Sequence, residues 1–294
     1  MTLTDWQMSY AGLLIDGATY RIIPPLEGLG DLPDLSTSDQ ARLRAHGLTP
    51  GDDFLDSRVV TVHMMVVADT GAFETAMGAV MEAFQPTVLA ADLGDLTFRF
   101  PGIAGGGIRR IVGRVRKRSA PVELTWDDAL QVRSALVDIQ FYCADPHIYD
   151  DVESTVSTDL AAATTGHSWP QVWPMDWGGA STSGIVTATN AGTFATPWVA
   201  TITGPVTNPS VENVDTGQAL NFSANGGLSL AVGETLVIDS ATRTALLGGT
   251  ASRYDRLASP VSWWDLPPGA TQLRFGGSTS GTPTMAVTWR SAWI

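Results

Sequence analysis

Apolar and polar positions along most of this chain alternate with a period of two, and only one stretch repeats at helical spacing. In residues 58–67 (RVVTVHMMVV), Val60, Val62, Met64 and Val66 share a face, as a half-buried strand requires. Residues 10–24 read as a hairpin, with Leu13 and Ile15 before an Asp16-Gly17 turn and Tyr20 and Ile22 after it. Further strands are expected at 95–100, 108–118 and 130–143. Phe73, Met77, Val80, Met81 and Phe84 recur every three or four residues, which predicts a helix capped by Asp69 or Thr70 and stopped at Gln85-Pro86. Residues 26–57 have little periodicity and much Asp, Gly and Pro, the pattern of a long excursion or arm.

The character changes after residue 150. Small polar residues give way to Trp169-Pro170, Trp173-Pro174 and Trp177-Gly178-Gly179, and proline holds its predecessor extended, so 151–180 reads as a linker strap. From 184 onward short apolar runs return every 8 to 12 residues between turn signals, as in an antiparallel sandwich. Asn225-Gly226 is the clearest turn, with Leu220 and Phe222 leading in and Leu228, Leu230 and Val232 leading out. The organisation expected is mainly β: a first domain at 1–150 (a barrel or sandwich with one helix), the strap, and a second domain at 181–294.

At 294 residues the chain has room for two cores. Its single cysteine, Cys143, leaves no intrachain disulfide framework, and the absence of a secretory opening or a membrane-length apolar run predicts a soluble product made in a reducing cytoplasm. A net charge of -13 argues against specific nucleic-acid binding. Charge is also segregated. Asp31, Asp34, Asp39, Asp52, Asp53 and Asp56 crowd the arm, whereas Arg109, Arg110, Arg114, Arg116, Lys117 and Arg118 crowd one expected strand. On a regular strand Arg110, Arg114, Arg116 and Arg118 share a face; such a face is either simply solvated or an inter-subunit contact for the acidic segment of a neighbouring copy, with Asp31, Asp34, Asp52 and Asp53 opposite.

Little in the sequence points to catalysis. His46, His63, His147 and His167 lack metal-ligand spacing, and the 145–151 run (DPHIYDD) reads as a solvated strand end before it reads as a cation site. Gly105-Gly106-Gly107 lacks the lysine of a phosphate loop, no nucleophile elbow is present, and Asp127-Asp128 has no partner base. No cofactor, metal or enzymatic role is expected. Eight of the ten tryptophans lie in 169–294, either as core blocks or as platforms that stack on sugar rings. Adjacent Trp263 and Trp264 cannot both face one core from a strand, which makes them the candidate carbohydrate or docking contact.

The order of these words resembles the distal tail proteins of long-tailed siphophages. The opening hairpin, Arg58-Val59-Val60, the Phe-Met helix stripe, Gly113-Arg114-Val115 and the run Phe141-Tyr142-Cys143-Ala144-Asp145-Pro146 resemble that family's ring-forming, tail-tube-like domain. The C-terminal half looks like the galectin-like sandwich appended to it. The resemblance implies a structural virion protein at the tail tip: a homo-hexameric ring joining the tail-tube protein to the baseplate hub and receptor-binding proteins, with a lumen for the tape-measure protein. The alternative is an adhesin that holds host-envelope glycans through the C-terminal sandwich.

Overall fold

The computed structural model describes residues 2–86, 88, 93–120, 124–127, 131–161, 184–279 and 281–294, and the chain divides into two compact units, Met1–Asp151 with Trp293–Ile294 and Val152–Ala292. The fold is mainly β, as expected, with one α-helix among the described residues. No helix among them is long and apolar enough to cross a membrane. Tryptophans 169, 173 and 177 and His167 lie outside the described residues.

The first unit opens with Gln7–Tyr10 (β1), Leu13–Ile15 (β2) and Tyr20–Glu27 (β3). Four two-residue strands follow in the arm: Leu35–Ser36 (β4), Gln40–Ala41 (β5), Leu48–Thr49 (β6) and Phe54–Leu55 (β7). Arg58–Asp69 (β8), the helix Phe73–Ala83 (α1), Gly94–Arg99 (β9), Arg109–Ser119 (β10), Leu124–Asp127 (β11), Val132–Cys143 (β12) and Ile148–Asp150 (β13) complete it. The main ladder runs β2-β1-β9-β10-β12-β8-β3. Its end strands β2 and β3 share no ladder, so the sheet is open and the barrel form of the expectation is not found. Strand β10 changes partner along its length, pairing with β9 from Arg109 to Gly113 and with β12 from Arg114. The change falls at Gly113, where a Cβ would lie 2.7 Å from the Sγ of Cys143, so only glycine permits this approach.

The first hairpin is displaced from its expected place. Ala11-Gly12 makes the two-residue turn between β1 and β2, with φ of 48° and 82°, the positive pair that matches strand twist. Asp16-Gly17 also turns, with Gly17 N–H donating to the Tyr20 carbonyl, but it sends the chain to β3 beside β8. Strand β8 has the expected inner face, with Val60, Val62, Met64 and Val66 wholly buried. Helix α1 lays Phe73, Ala76 and Val80 on that core, and Phe84 beyond its end packs on Tyr10 and Phe141. Neither Asp69 nor Thr70 caps it: Ala72 occupies the N-cap without a side-chain bond, and Thr70 Oγ1 donates instead to the Gln131 carbonyl.

Cys143 is buried at the end of β12, and burial above all, with Asp145 adding to it and Arg58 opposing, pushes its thiol up to about 12. The folded chain should therefore resist maleimide at pH 8 and react once urea opens it. The neutral thiol supports folding fully below about pH 9; that support fades as pH rises towards about 12, at up to ~1.4 kcal/mol per pH unit relative to Cys143→Ala.

The second unit comprises Ser154–Asp159 (β14), Ile185–Asn190 (β15), Trp198–Thr203 (β16), Val206–Asn213 (β17), Ala219–Asn221 (β18), Ser229–Leu230 (β19), Thr235–Asp239 (β20), Thr244–Leu247 (β21), Ala251–Ser252 (β22), Gly269–Ser278 (β23) and Thr284–Trp289 (β24). One sheet runs β14-β24-β16-β20-β21-β22 and the other β15-β23-β17-β18, with β19 also on β17. Their inner faces share a core that includes Trp198, Ile238 and Val287 from the first and Val211, Leu273 and Phe275 from the second. Residues 154–159, expected within the strap, are thus a strand paired along its whole length with β24. Asn225-Gly226 turns as expected, but within an excursion along one edge: β18 and β19 both pair with β17, and Val232 is 83% exposed.

Candidate interaction surfaces

Among the described residues of the first unit, the arm is the longest exposed stretch. Its stem closes where Asp56 N–H donates to the Asp34 carbonyl, β4 pairs with β7, and β5 with β6 nearer the tip. At its root Arg58 is 2% exposed, and its guanidinium donates to four carbonyls: Nε to Pro146 at 2.9 Å and Nη1 to Gly28, Leu29 and Asp31 at 2.8, 3.1 and 2.7 Å. Burial lowers the Arg58 pKa, and the nearby Cys143 and Asp31 counter it only in part. Gly28 sits at φ 79°, and a Cβ there would lie 1.8 Å from the Val59 carbonyl oxygen, so this residue must be glycine. The Asp31 carboxylate accepts from Gly28 N–H and finishes the root.

Beyond the root every side chain from 34 to 54 is exposed, including Asp34, Asp52 and Asp53. So are Leu32, Leu35, Leu43, Leu48 and Phe54, with Leu43 at 96%. Single exposed leucines are ordinary, but five large apolar side chains on one thin projection are the mark of a docking surface. The tip carries Arg42 and Arg44 around Leu43, and the Arg42 N–H donates to the Gly47 carbonyl across the turn.

Beside the root lies a cleft of about 700 Å³. Trp6, Ile22, Leu26, Phe100 and Ile103 give it an apolar lining, and Asp5, Asp16, Asp31 and Arg21 stand around it. Trp6 is 65% exposed, with its ring 5.8 Å from that of Phe100. The sequence pattern did not single out this cleft, because its residues come from four separate segments.

The four arginines of the basic strand part company. Arg110 is committed within its own chain, 3.0 Å from both Asp95 and Asp151. A bulge at Arg116 shifts the register, so that Val115 pairs with Phe141 but Lys117 with Gln140 and Arg118 with Ile139. That shift turns Arg118 off the shared face, and its Nη1 donates to the Met81 and Phe84 carbonyls at the end of α1, satisfying groups a helix leaves without partners. Arg114 and Arg116 remain at the surface, with guanidinium carbons 5.8 and 3.4 Å from the Tyr142 ring centroid.

The two expected tryptophan contacts also differ. Trp264 is buried, 5.1 Å from Trp198 between ring centroids, and its carbonyl accepts from Trp198 Nε1, so it is a core residue and not a surface contact. Trp263 is half-buried and stacks on Tyr254 at 6.3 Å. The 145–151 run forms a local knot: the Asp145 carboxylate accepts from His147 N–H, from His147 Nδ1 and from Tyr149 Oη at 2.7 Å. Burial alone would raise the Asp145 pKa, but these hydrogen bonds outweigh it and hold the group below its ordinary range. No group of three or more metal-ligating side chains occurs among the described residues.

Residues 191–293 match the family described as siphovirus-type tail component, C-terminal domain. Along its length the chain has the fold of the SPP1 Dit protein (gp 19.1), described as a paradigm of hub adsorption apparatus in phages that infect Gram-positive hosts: 14% identity over 98% of this chain and 99% of that one, with a TM-score of 0.62. A chain of the phage P2 baseplate in its activated conformation with Ca aligns at 9% identity over 96% and 97%, with a TM-score of 0.49. No curated protein matches. The resemblance to phage distal tail proteins is thus borne out, by family for the C-terminal residues and by fold for the whole chain.

Proposed function

We propose that this protein is a structural component of a siphophage tail tip, assembled in the host cytoplasm as a homo-hexameric ring and carried in the virion. In that place it joins the tail-tube protein to the baseplate hub and receptor-binding proteins, around a lumen for the tape-measure protein. The match of residues 191–293 to a tail-component domain carries this reading, and the likeness of fold to SPP1 Dit supports it. An open β unit with an exposed arm also suits a closed circle of identical chains, which needs two different patches meeting head to tail.

Arg114 and Arg116, still at the surface, suit a contact with the acidic stem of a neighbour's arm at Asp34, Asp52 and Asp53. Native mass spectrometry of the purified full-length chain should show six-fold particles, and a chain that stays monomeric at high concentration would overturn the ring. In the R114E/R116E chain the ring fraction should fall about fivefold at low salt and recover in part at high salt, since complementary charges at a contact rim are screened. The adhesin alternative has lost Trp264 to the core, and only the Trp263–Tyr254 stack remains for it. A glycan array with the full-length protein tests that pair.

A further inference from the structure

We infer that the tip of the arm, Arg42-Leu43-Arg44, inserts into the Trp6-lined cleft of a second copy of this chain. The inference rests on the ring reading above and names the contact that closes it. Two exposed features of the first unit, the arm's tip and the Trp6 cleft, complement each other in polarity and charge. The tip is the turn from Arg42 to Gly47, and Leu43 near its start is almost fully exposed between two arginines. No carboxylate lies between Gln40 and Thr49, so the tip is locally cationic on a chain of net charge -13. The cleft is the reverse: an apolar lining of Trp6, Ile22, Leu26 and Phe100 with Asp5, Asp16, Asp31 and Arg21 beside it; Asp5 is already paired with Arg99 at 2.8 Å, which leaves Asp16 and Asp31 to meet incoming cations. Leu43 would bury its side chain among the aromatic rings while Arg42 and Arg44 meet the acidic rim, the anchor-and-rim arrangement of stable interfaces.

The occupant is a second copy because Leu43, 96% exposed, does not occupy the cleft of its own chain. Gly30 and Asp31 line the cleft at the arm's root, whereas Leu43 lies twelve residues further on along paired short strands and remains exposed. A tip and a cleft on different parts of one chain form a heterologous contact, and each subunit both gives an arm and receives one. Arg110 and Arg118 of the basic strand play no part here, since both are held within their own chain.

Two otherwise wild-type full-length chains with different affinity tags, one carrying Leu43→Cys and the other Leu26→Cys, test this when co-expressed and mildly oxidised. Cys143 is buried and does not interfere. The expected result is a disulfide-linked species of two 31.1 kDa chains carrying both tags, formed by up to about half of the protein as random mixing in a head-to-tail ring allows, absent when either chain is alone, and reduced about tenfold when R42E/R44E is added to the Leu43→Cys chain. Rings that assemble by native mass spectrometry without this cross-link would overturn the inference while leaving the ring. Monomers without a cross-link would overturn both.

Discussion

Replacing Arg58 by alanine is expected to destabilise the first unit by about 3–4 kcal/mol and to loosen the arm at its root. The guanidinium is enclosed and donates to four carbonyls on two segments: Gly28, Leu29 and Asp31 at the start of the arm, and Pro146 after β12. Two effects compete. Removing a buried cation recovers its desolvation cost, several kcal/mol, which is the effect that lowers its pKa. Against this, charge-assisted hydrogen bonds contribute roughly 1.5–3 kcal/mol each, and the carbonyls left behind are enclosed too deeply for water to replace all the donors. The loss wins because one group serves four acceptors. Lysine, with a single ammonium, cannot span carbonyls on both sides of the root, so Arg58→Lys should recover less than half of the loss. Urea unfolding gives the stability. Amide exchange and limited proteolysis locate the effect, with faster cleavage between residues 31 and 56 and no change in the strands of the second unit. A variant with wild-type stability and an equally protected arm would show that Arg58 does not hold the root.

The arm illustrates what could be read from the sequence and what could not. Its existence was legible, because residues 26–57 break the two-residue alternation on both sides. What holds it was not: Arg58 read as the first residue of a strand, and nothing in its neighbours shows that its side chain turns back to the carbonyls of 28–31. Elements governed by local period came through best. The inner face of β8 and the Phe73, Val80 and Phe84 stripe pack as the spacing requires, since burial of one face needs only the right periodicity. Features decided by a single backbone irregularity were missed. Ala11-Gly12, not Asp16-Gly17, closes the hairpin: β2 pairs back on β1, whereas the Asp16-Gly17 turn hands the chain to β3 on β8. The bulge at Arg116 sends Arg118 to the helix end, which no period-two count reveals. Long-range choices were equally hidden. Arg110 looked like a free cation until Asp95 and Asp151, from two other segments, closed on it.

Trp198→Ala should cost the second unit about 3–5 kcal/mol, a large share of what a domain of this size has to lose. Trp198 is the largest wholly buried side chain among the described residues and stands on β16, a central strand paired with β24 on one side and β20 on the other. Its indole fills the core, lies against Trp264, and donates from Nε1 to the Trp264 carbonyl at 2.9 Å. Alanine removes all three contributions at once. The surrounding ladders fix the backbone: Trp198 pairs with Trp289 in register, its N–H donates to Ser240 Oγ at 2.8 Å, and its carbonyl accepts from Ser240 N–H. The walls therefore cannot collapse into the space, and the cavity cost is added to the lost transfer free energy. Phenylalanine separates the terms. It restores most of the volume without the donor, so Trp198→Phe should cost about 1–2 kcal/mol, close to one buried carbonyl left unpaired. Amide exchange should rise across β16, β20 and β24 in the alanine variant and leave β8 and β12 unchanged. If both substitutions cost the same, the hydrogen bond to Trp264 rather than packing would be what holds this core together.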